Sequence, residues 1–165
     1  MRLTGRVHKF GDNINTDYII SGKYKFKTLD MDELAKHLFE DLEPGFYNRI
    51  DPGDFIVAGS NFGCGSSREQ APLVIKHAGI SSVIACSFSR IFYRNSINVG
   101  LPLIEYDTSR ISQGDELIVD LENGTISNKT KGEMIEARTL PRIMREILKE
   151  GGLVPYFKKY KGFRF

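Results

Sequence analysis

Three short apolar segments constrain this chain more than any other feature: the run Phe55–Ala58 in "DPGDFIVAGS", "SSVIACSF" at residues 81–88 and "LPLIEY" at 101–106. Each is too short for a helix and shows no regular polar alternation, so each reads as a strand buried on both faces. A helix ending at Gly79 fits between the first two, and "SRIFYRNSINVG" reads as a second helix between the others. The middle of the chain thus runs strand, loop, helix, strand, helix, strand, which is an α/β unit.

The flanking segments have another character. "LTGRVHKF" alternates well enough for an opening strand, and "GDNINTDYIISG" begins as a loop rich in Gly, Asp and Asn. "MDELAKHLFEDL" predicts an amphipathic helix, with Leu34, Leu38 and Leu42 on one face, Asp30 or Asp32 at its start and Pro44-Gly45 at its stop. "DELIVDLENGTISNKTKGEMIEA" reads as strands joined at the Asn123-Gly124 hairpin signal. A last helix, "PRIMREILKEGG", carries Pro141 near its first turn and ends at glycine. The expected architecture is one α/β domain over residues 1–165, a small β part from both chain ends packed on the α/β part.

Composition removes several function classes. Lys plus Arg number 23 against 21 for Asp plus Glu, and the only basic cluster is the tail "YFKKYKGFRF", so nucleic acid is not an expected partner. No apolar run reaches the ~18 residues of a membrane span, and "MRLTGRVHKF" has no apolar signal region, so a cytoplasmic protein is expected. Cys64 and Cys86 are far apart, and His8, His37 and His77 are scattered, so no metal ligand set is expected on this chain. Any metal belongs on another chain.

The stretch "NFGCGSSREQAP", residues 61–72, carries the chemistry. Ser66 and Glu69 fit a capping box at the mouth of the following helix. Pro72 then falls too deep in the helix, which moves the start towards Ser67 or Arg68. The same residues also fit an anion site. Helix N-termini attract negative charge, Gly63 and Gly65 allow close approach of a ligand, and Arg68 offers a fork suited to a carboxylate. The loop is neither a Walker phosphate loop nor G-x-S-x-G, and no histidine is placed to serve Ser66 as base. Residue types alone give a carboxylate-binding loop with possible catalysis at Ser66.

"GCGSSRE", with "GDNINTD" before it and "SFSRIFYRNSINVGLP" after it, resembles the small subunits of 3-isopropylmalate dehydratase, the detached swivelling domain of the aconitase superfamily. The resemblance runs from about "GRVHKFGDNINTD" to "KEGGLVPY". It implies a swivelling β/β/α fold and the removal and re-addition of water on a hydroxy-dicarboxylate or tricarboxylate. It also implies a large-subunit partner that holds a [4Fe-4S] cluster, with no cofactor bound by this chain. Carried over, Ser66 matches the serine base, Ser67 and Arg68 match substrate-holding residues, and Asp17 matches an acid that assists proton handling.

"SGKYKFKTLD" resembles the family's substrate-recognition loop but departs from it at Lys25-Phe26 and lacks an arginine. Phe26 fits an apolar substituent and Lys27 a charged one, so homoaconitase, citramalate isomerase and dimethylmalate dehydratase stay open beside 3-isopropylmalate. A non-catalytic carboxylate-binding or assembly module is the alternative of another class. Arg90 and Arg94 share a helix face that reads foremost as solvated or salt-bridged, Asn95 and Asn98 fit backbone satisfaction, and Cys64 reads as loop filler.

Overall fold

The computed structural model covers residues 1–165. Its strands are β1 (Arg2–Lys9), β2 (Phe55–Ala58), β3 (Ser82–Ala85), β4 (Leu103–Glu105), β5 (Glu116–Asp120), β6 (Thr125–Asn128) and β7 (Glu133–Glu136). They form one seven-stranded sheet in the order β4-β3-β2-β1-β5-β6-β7. The helices are α1 (Thr16–Ile19), α2 (Gly22–Lys25), α3 (Met31–Ala35), α4 (Gln70–His77), α5 (Arg90–Val99), α6 (Arg142–Lys149) and α7 (Leu153–Tyr160). None is long and apolar enough to cross a membrane.

Strand β1 joins two kinds of sheet. Its end pairs parallel with β2, Val7 opposite Phe55, and β2, β3 and β4 continue in parallel. Its beginning pairs antiparallel with β5, Leu3 opposite Val119, and β5, β6 and β7 continue antiparallel. The expected small β part and α/β part are therefore the two halves of one sheet.

The apolar runs behave as their composition requires. β2 and β3 are buried at every residue. Successive side chains of a strand point to opposite faces. Ile56, Ala58, Val83 and Ala85 accordingly pack with Leu34, Val74 and Ile75 under the helices. Phe55, Val57 and Ile84 pack with Leu117, Val119 and Ile126 from the antiparallel half. The sheet curls to make this second contact. In a flat sheet its two edges would lie about 29 Å apart, yet Ile104 from β4 lines one small cavity with Thr125 of β6 and with Ala137, next after β7.

The structure corrects the helix expected over "MDELAKHLFEDL". Only Met31–Ala35 is helical, capped by the Asp30 side chain on the Asp32 and Glu33 amides. The Phe39 amide bonds to the Ile19 carbonyl at 3.0 Å rather than to Ala35, and Phe39 takes a left-handed φ of 54°. A tertiary bond thus breaks the helix, and Phe39 turns its ring onto Phe10 and Phe46. Leu34 and Leu38 are buried as expected, but Leu42 is 39% exposed. The basic-aromatic tail begins inside a helix. It contributes to α7, which follows Gly152 and holds Pro155 in its first turn, where proline's missing N–H costs no bond.

Candidate active site

Three loops leave the carboxyl ends of the adjacent parallel strands β1, β2 and β3 and meet above the sheet. This is where open α/β sheets place their ligands. The loop after β2 is "NFGCGSSRE". It is strapped to the loop after β1 by Gly63 N–H to Ile14 O at 2.8 Å, Thr16 N–H to Cys64 O at 2.8 Å and Thr16 Oγ1 to Ser66 O at 2.9 Å. From the loop after β3, the Ser89 hydroxyl donates to Gly63 O at 2.8 Å.

No capping box forms. Helix α4 starts at Gln70 after Glu69, and Glu69 makes no side-chain cap. Ser66 lies before the helix, and its bond to Thr16 uses the backbone carbonyl, which leaves the exposed hydroxyl out of that contact. Pro72 then falls in the first turn, where the sequence conflict disappears.

The glycines serve protein contacts first. Gly63 has φ +81°, and a Cβ there would sit 2.2 Å from the Phe92 ring. Gly65 has φ +96°, and its Cβ would sit 2.6 Å from Asn15 Oδ1. Asn15 Oδ1 accepts the Asp17 amide at 2.8 Å and so fixes the start of α1. What approaches these glycines is Phe92 of α5 and the cap of α1, so they set the loop's height over both.

Asp17, placed by that cap, meets Arg68: Oδ1 lies 2.6 Å from Nη2. Arg68 Nη1 also donates to Ile20 O at 3.1 Å. The guanidinium is thus held from two sides at 20% side-chain exposure, whereas Asp17 is 58% exposed. Ser66, Ser67 and Arg68 line a cleft of about 320 Å3 whose opposite wall includes Ser89, Arg90 and Asn95. With Arg68 and Arg90 on its walls, the cleft suits an anion.

The structure thus brings Ser66, Ser67, Arg68 and Asp17 together. Phe26 and Lys27 are absent from the cleft walls. Phe26 is 85% exposed just past α2, and Lys27 Nζ lies 5.9 Å from the Tyr24 ring. Arg90 and Asn95 gained little weight from the sequence, yet they line the cleft. The available signal was Ser89, the N-cap of α5, which sets the first turn of that helix beside the glycine loop.

The histidines are engaged elsewhere. His8 lies 2.7 Å from Asp54, His77 lies 2.8 Å from Asp32, and His37 stacks on Tyr24. Cys64 and Cys86 are free thiols, and no three His, Cys, Asp or Glu side chains group as metal ligands. The residues of this chain do not fit an iron–sulfur cluster.

A family profile for the aconitase C-terminal domain matches residues 16–109, the span that holds the cleft. A 3-isopropylmalate dehydratase small subunit of Archaeoglobus fulgidus is 57% identical over 97% of both chains. One from Thermotoga maritima is 52% identical over 98% of both. The isopropylmalate/citramalate isomerase small subunit of Methanocaldococcus jannaschii is 54% identical over 95% of this chain and 94% of its own. A crystal structure of 3-isopropylmalate dehydratase from the same organism superposes with a TM-score of 0.93 at 50% identity, covering 98% of this chain and 96% of that one. The chain belongs to the aconitase C-terminal domain family and, within it, to the 3-isopropylmalate dehydratase small subunits.

Proposed function

We propose that this chain is the small subunit of a heteromeric hydro-lyase that interconverts 2-isopropylmalate and 3-isopropylmalate. The observation that carries this reading is an exposed serine at the mouth of a cleft whose arginine is held in place before substrate arrives. Ser66 Oγ takes the proton from the carbon next to a substrate carboxylate as the C=C bond forms. On rehydration water adds to the carbon that lost the proton, and Ser66 Oγ delivers a proton to the neighbouring carbon that lost the hydroxyl. Arg68 grips that carboxylate, exchanging one carboxylate contact for another as it leaves Asp17. Ser67 adds a hydrogen bond, and Asp17 is the acid that assists proton handling. Fixed donors around a developing negative charge supply the largest electrostatic share of such a barrier reduction.

The departing hydroxyl is assigned to the large subunit, which is also proposed to hold the [4Fe-4S] cluster. The segment with Phe26 and Lys27 forms the recognition loop, Phe26 facing the isopropyl group once the cleft closes. Residues 1–165 act together as one swivelling domain of a cytoplasmic enzyme.

The similarity to the Methanocaldococcus isopropylmalate/citramalate isomerase small subunit favours one second reading, the same chemistry on citramalate. An anaerobic assay of this chain with its cluster-loaded large subunit tests both. 3-Isopropylmalate, homoisocitrate, citramalate and 2,3-dimethylmalate are offered in turn. Preference for the first is expected. Preference for another acid reassigns the substrate but keeps Ser66, and silence on all four supports a non-catalytic module.

A further inference from the structure

Beside the cleft, across α5, lies a second and larger concavity of about 1120 Å3. Its floor is apolar, with Tyr93, Ile97, Leu140, Met144 and Ile147 among the lining side chains. Phe163 and Phe165 close one side and stay 51% and 93% exposed. Its charge is one-sided: Arg90, Arg94, Arg138, Arg142 and Arg145 line it, against a single acid, Glu105. Arg145 faces Glu122 at 3.7 Å, while the other four arginines make no ion pair within the chain.

We propose that this groove docks an acidic, apolar-faced segment of the large subunit. The inference rests on the functional reading above for the identity of that partner. Two observations carry it. Exposed aromatics beside an apolar floor mark a surface that a protein covers, and unpaired arginines around it call for carboxylates. The groove also adjoins the cleft, because Arg90 lines both. A partner that completes the cleft therefore reaches the groove across one helix. A second copy of this chain fits poorly, since a self-complementary contact sets arginines against arginines.

The test is the affinity of the full chain for its cognate large subunit, by sedimentation at several salt concentrations. The comparison is with an Arg94→Glu/Arg142→Glu double variant. Both side chains are exposed, and an unchanged thermal midpoint confirms folding. The expected result is a dissociation constant raised by about 30-fold or more, with a shallower salt dependence than the native chain. Undiminished binding of the double variant overturns the proposal. So does a native chain that self-associates through this face while the double variant, now monomeric, binds the large subunit as before. Binding is read without turnover, so the two readings fail separately. A complex that forms and depends on the arginines but does not turn over isopropylmalate removes the proposed substrate and leaves the docking site. A native chain with no affinity for the large subunit removes both.

Discussion

The parallel and antiparallel halves of the sheet are entered by the same kind of turn but carry different burdens. "DPGD" leads into β2 and "SQGD" into β5, the two neighbours of β1. In each, the last aspartate accepts the amide three residues earlier, Asp51 N–H to Asp54 at 3.0 Å and Ser112 N–H to Asp115 at 2.8 Å. From there the halves diverge. Strands β2 and β3 are sealed on both faces and, with β1, send loops from their carboxyl ends to the cleft. The antiparallel strands return by short turns and leave one face to water, with Met134 68% exposed. The candidate site sits where buried, rigid strands aim several loops at one point, and the other half serves chiefly to close the core.

The largest effect should come from the loops of the parallel half. Ser66→Ala is expected to lower kcat by about 1,000-fold, as for loss of a general base, with substrate affinity little changed in a binding titration. An equal loss of binding and no loss of kcat would return Ser66 to a passive role. Arg68→Lys should reduce kcat/KM by about 10- to 100-fold, because lysine cannot keep the forked contact. Steady-state kinetics of the assembled enzyme decides it.

A stability comparison sharpens the contrast. Gly63→Ala combines a left-handed backbone with the Phe92 contact and should cost about 3 kcal/mol in urea unfolding. Gly114→Ala, with φ +83° but open space around it, should cost only about 1 kcal/mol. Equal costs would mean that Phe92 yields.

The smallest effect is the acid limb. Burial pushes Asp54 up, but the Asp51 amide, His8 and the Arg6 amide outweigh it and hold the carboxyl below its ordinary value. Asp115 is likewise pushed up by burial and brought below by the Ser112 amide, Asn128 and Lys131. A depressed folded pKa stabilises above the unfolded value of about 3.9 and is lost as pH falls through the folded one. Asp54→Asn or Asp115→Asn should each flatten the loss of stability below about pH 4 in acid titrations, and a slope unchanged in both would show that the turns do not hold their charges.

The strands at 55–58 and 82–85 and the helices α4 and α5 were readable because apolar runs and glycine stops are local signals. Ser89 starts α5 and Gly100, with φ +86°, ends it as punctuation predicts. What escaped was set at long range. Phe39 leaves the helical path for a bond to Ile19, and the curl that brings Ile104 near Ala137 has no local trace. At the cleft, the family resemblance pointed to Asp17 and the loop chemistry to Arg68, but nothing in the sequence paired them. Arg90 looked like a solvated face until the Ser89 contact placed α5.

The Asp17–Arg68 contact has a consequence for selectivity. An incoming anion does not meet a bare cation but one already answered by a carboxylate. Its gain is the difference between its own fit and that of Asp17, and selectivity arises from such differences. On the proposed function, simple ions that offer no more than Asp17 would win little, while a ligand that also engaged Ser67 and the far wall would win the exchange. The resting ion pair would then set a threshold against the common anions of the cell, and sulfate should inhibit an Asp17→Asn enzyme more strongly than the native one.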